Sequence, residues 1–386
     1  MKIVTLSNYF NHHQKPLAEA LYAILGDGYC FVETAEIPEF RKKLGYEEIK
    51  APYVLKYDDH TKALIDKMII EADVVIYGEA PLSLIKRRYN TGRLTFRDDE
   101  SRYKNPNRYL KWPIYTYKSH WINKGYLLCA SAYGPVDYVL SGMDPEKCFR
   151  WGYFTEVRQY ESPEALLRKK SLKNPKGVSI LWAGRFIGLK HPEAAIYVAG
   201  KLKNEGVVFN MNIIGSGYLE DKMKHLIKSS QLDDYVHLLG SMSPSEVRGY
   251  MEDSDIFLFT SDRCEGWGAV LNESMNSGCA VVADGNIGSV PYLINNGHNG
   301  LIYKSKNWCD LYKNIRWLIE HPSEMKKMGK NAYGTMLNLW NGETAAKNFI
   351  ALCKILLENG NDSIKEGPCS KAPLIMRKWR GTIKTI

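Results

Sequence analysis

The chain has 386 residues, 45% hydrophobic and 25% charged, which suits a soluble globular protein of two domains or one large one. Its 52 Lys and Arg against 43 Asp and Glu give a formal charge of +9, and its apolar runs are too short to span a bilayer or, at Met1–Ser7, to form a secretory leader. Eight cysteines scattered without a CxxC pair support neither a disulfide framework nor a structural zinc site, and read as reduced, mostly core thiols of a cytoplasmic protein.

In chain order, the apolar run Ile3 to Leu6 predicts a first strand, followed by a polar turn from Ser7 to Gln14. Leu17, Leu21, Ile24 and Leu25 recur at helical spacing and are stopped by Gly26-Asp27-Gly28. Tyr29 to Glu33 predicts a strand, Leu64 to Ile70 a helix, and Asp73 to Tyr77, Leu94 to Phe96 and Tyr126 to Cys129 further strands. Lys169 to Gly177 has the composition of a polar linker. Beyond it the pattern is regular. Strands at Val178 to Ala183, Val208 to Ile214, Val236 to Leu239, Asp255 to Phe259 and Cys279 to Ala283 alternate with helices at Pro192 to Leu202, Leu219 to Ile227, after the capping box Ser243 to Glu246, and at Trp267 to Asn276. Continuous apolar strands alternating with helices are the signature of an α/β, doubly wound parallel sheet. The helical stretch Glu343 to Leu357 stands apart from it.

The charge is not spread evenly. Between Lys86 and Lys124, eleven basic residues oppose Asp98, Asp99 and Glu100, a net of +8, and the last twenty residues carry +5. The remainder sums to −4. The first basic region also holds Tyr103, Tyr109, Trp112, Tyr115, Tyr117, Trp121 and Tyr126. Such a mixture fits nucleic acid, through phosphate contacts and base stacking, or an anionic membrane surface, through headgroups and interfacial rings. The alternative is a solvated basic face whose rings pack inward.

In open parallel sheets, ligands bind beyond the carboxyl ends of the strands. There the second half places Arg185 and Lys190, Gly215-Ser216-Gly217, Gly240-Ser241-Met242, and the segment from Glu265 to Glu273. Two cations before a helix N-terminus suit a diphosphate. Along a helix rising 1.5 Å per residue, Glu265 and Glu273 stand roughly 10 Å apart, and carboxylates recognise vicinal diols by accepting two hydrogen bonds. The pair therefore suits a hexose at one end and a ribose at the other, with the diphosphate between. A helix-start glutamate and a solvated mid-helix glutamate are the structural alternatives.

The stretches LWAGRFIGLKHPE, NIIGSG, VHLLGSMSPSEV, DIFLFTSDRCEGWGAVLNESMNSGCAVVA and NGLIY, over about 130 residues, resemble the retaining glycosyltransferases of family 4, the group 1 glycosyltransferases. The resemblance implies the GT-B fold of two facing Rossmann-like domains. Residues 1–168 would bind the acceptor, 177–340 the donor, 341–358 would return as a helix to the first domain, and 359–386 would form a basic tail. It implies that Arg185 and Lys190 bind the donor diphosphate, and that Glu265 with the amides of Gly266, Trp267, Gly268 and Ala269 holds the sugar and distal phosphate. Glu273 would bind the ribose, with Gly215 and Met242 near the base. No metal or other cofactor is expected, since the cations do a divalent ion's work on the leaving group. The reaction implied is transfer with retention from a nucleotide sugar, a UDP sugar by preference, to a glycan or lipid-linked acceptor in cell-surface polysaccharide or glycolipid synthesis. A peripheral position on the inner face of the plasma membrane would follow, favouring an anionic membrane over nucleic acid as partner.

The loop Asn8 to Gln14 lacks the glycine pair of many members, so acceptor identity stays open, and His12, His13 and Glu100 are candidates to meet it. The histidines are equally suited to turn or packing roles, and Asp98, Asp99 and Glu100 to pairing with nearby arginines. Competing readings are a sugar-nucleotide epimerase of the same architecture and a nucleic-acid-binding or membrane-surface protein using residues 86–124. A dehydrogenase is disfavoured because no GxGxxG follows the first strand.

Overall fold

Seven strands form the first sheet: β1 (Ile3–Ser7), β2 (Tyr29–Glu33), β3 (Val54–Lys56), β4 (Val74–Tyr77), β5 (Leu94–Asp99), β6 (Tyr126–Cys129) and β7 (Cys148–Arg150), in the order β3-β2-β1-β4-β5-β6-β7. Six form the second: β8 (Val178–Ala183), β9 (Phe209–Ile214), β10 (Val236–Leu238), β11 (Ile256–Phe259), β12 (Ala280–Asp284) and β13 (Leu301–Tyr303), in the order β10-β9-β8-β11-β12-β13. Every pairing within these two sheets is parallel. The structure, a computed structural model, describes residues 1–42, 47–102, 112–174, 177–360, 362–376 and 384–385. Among the described residues, unit 1 comprises Met1–Glu156 with Leu339–Met376 and Lys384–Thr385, and unit 2 comprises Val157–Asn338.

Both sheets are Rossmann-like, with helices on their faces. That is why β8 and β11 are apolar without alternation: Ile180, Leu181, Ile256, Phe257 and Leu258 are all buried, as strands covered on both sides require. In unit 2 the core runs through Trp182, Val198, Met211, Ile213, Leu258, Val282, Leu311 and Ile315. In unit 1 it gathers Leu6, Val32, Ile65, Ile69, Val75 and Ile85. The chain order reverses direction across the sheet between β1 and β4 in unit 1 and between β8 and β11 in unit 2, and these switch points mark where each sheet can hold a ligand.

The helix Gly342–Leu357 belongs to unit 1, where it packs on Lys15–Leu25. A Cβ on Gly342 would sit 2.6 Å from the Pro16 carbonyl carbon, so only glycine permits that approach. Phe349, fully buried, sets its ring 5.0 Å from Phe96 and 5.8 Å from Trp151. The chain that follows is no free tail. Arg150 donates to the Ser370 carbonyl at 2.7 Å, Cys369 donates back to Arg150 at 2.8 Å, and Lys371 pairs with Glu146 at 2.9 Å, covering the edge left by β7. Arg377, Lys378 and Arg380 of the basic tail lie outside the described residues.

Two expectations are corrected. Lys169–Lys173, expected in a linker, end the helix Pro163–Lys173, and Lys170 is 2% exposed. Its ammonium donates to the Met251 carbonyl at 2.9 Å and to that of Ser254, so a charge read as solvated closes the end of the helix Pro244–Asp253. The helix expected over Trp267 to Asn276 begins at Val270 instead. Gly268, at φ +82°, is outside helical conformation, and its missing Cβ would lie 2.3 Å from the Phe259 ring.

The basic region also divides. Arg88 is fully buried and donates to the carbonyls of Ile69, Ile70, Ala72, Asp73 and Leu94, capping the helix Lys62–Glu71. Arg93 reaches the Glu71 carbonyl at 2.6 Å, Arg97 pairs with Asp99 at 3.2 Å, and buried Arg102 donates to Ser119 at 2.7 Å. Four of the eleven cations are thus structural. Lys104, Arg108 and Lys111, with Tyr103 and Tyr109, lie outside the described residues. Lys86 lies over the rings of Tyr117 and Trp121, Lys124 lies over Trp121, and Arg87 and Lys118 are exposed.

Candidate functional site

The carboxyl ends of β8 and β11, neighbours at the switch point of unit 2, deliver opposite charges to one place. After β8 the chain turns through a short 3-10 segment, Gly188–Lys190, before the helix Glu193–Asn204. His191 makes the corner in the left-handed region at φ 47°, a conformation costly for a residue with a Cβ, and donor–acceptor contact with Asp262 at 3.3 Å holds it there. Burial works against the Asp262 charge, yet His191 and the Cys264 amide hold its carboxyl below the ordinary range. Thr260 completes the clamp: it accepts from the Trp182 indole and donates to the Lys190 carbonyl, both at 2.7 Å.

So positioned, Lys190 donates to Glu265 Oε2, with only 13% of the lysine and 15% of the glutamate side chain exposed. Arg185, also beyond β8, is exposed and has no partner among the described residues. The structure therefore brings Lys190 and Glu265 into contact and leaves the Arg185 side chain, close to Lys190 in the sequence, outside that pair. Gly266 and Trp267 are buried; Trp267 donates to Asn272 at 2.9 Å, and its carbonyl accepts from Ser289 at 2.6 Å, which fixes the backbone from Gly266 to Ala269 ahead of the helix Val270–Asn276.

At the ends of β9 and β10 the glycines have a steric reason. A Cβ on Gly215, at φ +143°, would fall 1.8 Å from the Gly184 carbonyl oxygen. Gly215 donates to the Gly240 carbonyl at 2.8 Å and Ser216 meets Ser241 at 2.7 Å, so half-buried Met242 follows directly on this joined edge.

Glu273 occupies a different environment. Burial pushes its carboxyl up to about 7, with Arg248 and then Arg158 pulling back. Buried Arg248 donates to Asn276, one turn along Glu273's own helix, and the same Asn276 oxygen accepts from the Arg158 amide at 2.8 Å. Arg158 in turn pairs with Glu252 at 2.8 Å, which also accepts from Tyr160 at 2.8 Å. Arg248, Arg158 and Asn276 were not marked by the sequence, because their roles depend on helices distant in the chain. The sign of the pH effect follows. Between 4.5 and about 7 the native carboxyl holds a proton that the unfolded chain releases, so Glu273's contribution to stability falls as pH rises through that window.

In unit 1, His12 and His13 lie in the loop after β1, with rings 4.0 Å apart. Buried Phe10 anchors that loop by donating to Glu33 at 2.7 Å. Burial, then the fields of His12 and Arg41, push His13 down to about 3, and burial lowers His12. Of the three acids ending β5 and following it, Asp99 pairs with Arg97 and accepts from Tyr138, while burial raises Asp98 to about 7. Glu100 accepts from Tyr153 at 2.9 Å. Among the described residues, no group of three His, Cys, Asp or Glu side chains is arranged to hold a metal ion.

Residues 164–335 match the family model for Glycosyl transferases group 1. The chain is 34% identical over 126 residues to the amylovoran biosynthesis glycosyltransferase AmsK of Erwinia amylovora, covering 31% of either chain. It is 31% identical over 137 residues to the putative colanic acid biosynthesis glycosyltransferase WcaL of Salmonella typhimurium, covering 34% of each. It thus spans about a third of the length of these curated relatives. The crystal structure of Anabaena HepE in complex with UDP superposes with a TM-score of 0.67 at 14% identity, covering 93% of this chain and 100% of that one. The fold is accordingly GT-B, two Rossmann-like domains with parallel sheets.

Proposed function

We propose that this chain, whose residues 164–335 match the group 1 glycosyltransferases, is a metal-independent retaining glycosyltransferase. It moves a sugar from a nucleotide sugar, UDP-linked, to a glycan or lipid-linked acceptor in surface-polysaccharide assembly. The observation that carries this reading is the Lys190–Glu265 pair at the switch point of unit 2, eight residues ahead of Glu273. Lys190 and Arg185 offset charge on the diphosphate, Glu265 and the Gly266–Ala269 amides hold the sugar, Glu273 accepts from the ribose diol, and Gly215 and Met242 border the base. In the transfer, the bond from the anomeric carbon to the diphosphate oxygen breaks and the acceptor oxygen bonds on the same face. The acceptor proton passes to the leaving phosphate oxygen, so no protein nucleophile is required. The polysaccharide systems of AmsK and WcaL and the UDP complex of HepE support the choice of product class and nucleotide.

A thermal-shift panel of UDP-, GDP-, dTDP- and ADP-sugars tests the donor. At a hundredfold excess over Kd, a bound nucleotide sugar stabilises the native state by about 2.7 kcal/mol, a rise of roughly 5–10 °C for a domain of this size. UDP-sugars alone are expected to produce it, and EDTA to leave subsequent transfer unchanged. No shift with any nucleotide sugar, or an inverted anomeric product, sinks the proposal. The ribose role carries its own signature: kcat/KM for donor is expected to rise with pH through about 7 as Glu273 ionises, and Glu273→Gln to flatten that rise.

The same reading places unit 1 against an anionic membrane. The helices Leu82–Tyr89 and Trp112–Ile122 contain no acidic residue, and between them present Lys86, Arg87 and Lys118 beside exposed Ile114 and Tyr117. Aliphatic and aromatic groups among cations favour a lipid interface over nucleic acid, where only rings would be useful. Among the described residues no helix is long and apolar enough to cross a membrane. Flotation with vesicles rich in anionic lipid is expected to retain the protein at low salt, and neutralising Arg87, Lys118 and Lys124 together to reduce retention severalfold. Unchanged retention refutes the docking face.

A further inference from the structure

The residues proposed to meet the acceptor, adjacent His12 and His13 and distant Glu100, are joined by a fourth. Tyr153 lies beyond β7 in a stretch without regular structure. Its hydroxyl donates to Glu100, which follows β5, at 2.9 Å, while its ring stacks on His13 with centroids 6.0 Å apart and planes 25° from parallel. His13 in turn packs on His12 in the loop after β1. One side chain therefore ties three segments, all beyond the carboxyl ends of strands of one parallel sheet, where such sheets take ligands.

We propose that Tyr153 is the positioning residue of an acceptor subsite in unit 1, and that this subsite takes uncharged sugar hydroxyls rather than a sugar phosphate. The proposal rests on the glycosyltransferase reading and adds the chemical class of the acceptor at this point. Geometry supplies the first half: the Tyr153 hydroxyl donates to Glu100 while its ring stacks on His13, so one side chain bears on the aim of both. Donor and acceptor inventories supply the second. A hydroxyl both donates and accepts, so it satisfies a carboxylate and an uncharged imidazole alike, whereas a phosphate brings only acceptors to the Glu100 acceptors. The imidazoles add no compensating charge, because burial lowers both. Two arginines in and just after β5 are engaged: Arg97 with Asp99, and Arg102 with Ser119 and the face of Tyr138 at 3.7 Å. Arg41 is the cation whose field reaches His13.

The discriminating variant is Tyr153→Phe, which keeps the ring and removes the hydroxyl. Saturation-transfer NMR on the full chain with methyl α-glucoside or glucose 6-phosphate, without nucleotide, reads the subsite independently of turnover. The neutral glycoside is expected to bind and the phosphate not, with the glycoside signal reduced about fivefold to tenfold in Tyr153→Phe and in Glu100→Gln. In transfer assays, Tyr153→Phe is expected to raise acceptor KM by a similar factor while donor KM, acceptor-free donor hydrolysis and melting temperature stay at the wild-type values. Glycoside binding equal in wild type and Tyr153→Phe, preference for the phosphate, or donor KM rising in step with acceptor KM overturns the inference. Absence of nucleotide-sugar turnover with intact, Tyr153-dependent glycoside binding overturns the glycosyltransferase reading instead.

Discussion

Replacing Lys190 with alanine is expected to lower transfer by about 10²–10³-fold in kcat, the range found when one preorganised group facing developing charge is removed. Glu265→Ala is expected to do the same, for a linked reason. The two side chains face each other with little exposure, so deleting either leaves an opposite charge unpaired in a partly desolvated place. That coupling makes a sharper claim than either single variant. Because each loss already disorders its partner, the double variant should fall well short of the product of the two losses, as groups acting as one unit do. Steady-state kinetics on all four proteins, with circular dichroism to confirm folding, decides the matter. Single variants within threefold of wild type would remove Lys190 and Glu265 from the site, and strictly multiplicative losses would separate their roles.

Gly215→Ala is expected to have the largest effect on stability. Its φ of +143° already disfavours a side chain, and the new Cβ would meet the Gly184 carbonyl oxygen at 1.8 Å, a backbone atom that cannot swing aside. Gly184 is itself held by its hydrogen bond to the Ile214 carbonyl at 3.0 Å, and Gly215 by its bond to Gly240 at 2.8 Å. Relief must therefore come from parting the ends of β8 and β9. Backbone strain and overpacking together cost about 3–5 kcal/mol, or roughly 6–20 °C in Tm for a domain of 150–250 residues. Gly200→Ala is the control: it lies within the helix Glu193–Asn204 with nothing within 4 Å of its Cβ, and should stabilise by up to about 1 kcal/mol. Equal melting temperatures for the two variants would refute the steric account.

Much of the second sheet was legible in the sequence because its strands are buried on both faces and its helices carry strong boundary signals; Ser243 and Glu246 form the anticipated capping box. Strands β3, β7 and β13 were not legible because three residues establish no period, whereas β10, equally short, was marked by its place in the regular alternation of strands and helices. Lys170 misled for a different reason. A lysine amid lysines signals solvent locally, and acceptors far along the chain, the carbonyls of Met251 and Ser254 and the Cys279 sulfur, make burial tolerable. The same limit applies to the site. Lys190 and Glu265 could be named because strand ends are predictable positions, whereas Arg248, Asn276 and Tyr153 acquire their roles only through partners on other elements.

The membership of the helix Gly342–Leu357 in unit 1 bears on how the protein is made. Unit 1 is discontinuous: its first stretch ends at Glu156, and it is completed only by Leu339–Met376. As the chain leaves the ribosome, the groove over Lys15–Leu25 that Gly342 later fills, and the ring of Phe96 that Phe349 later covers, must wait for all of unit 2 to be synthesised. The described part of unit 2, Val157–Asn338, is one contiguous stretch and can finish first, so the order of completion is the reverse of the order of translation. A ribosome stalled with only the first stretch exposed should therefore carry a protease-sensitive nascent chain, and one stalled beyond Met376 a resistant one.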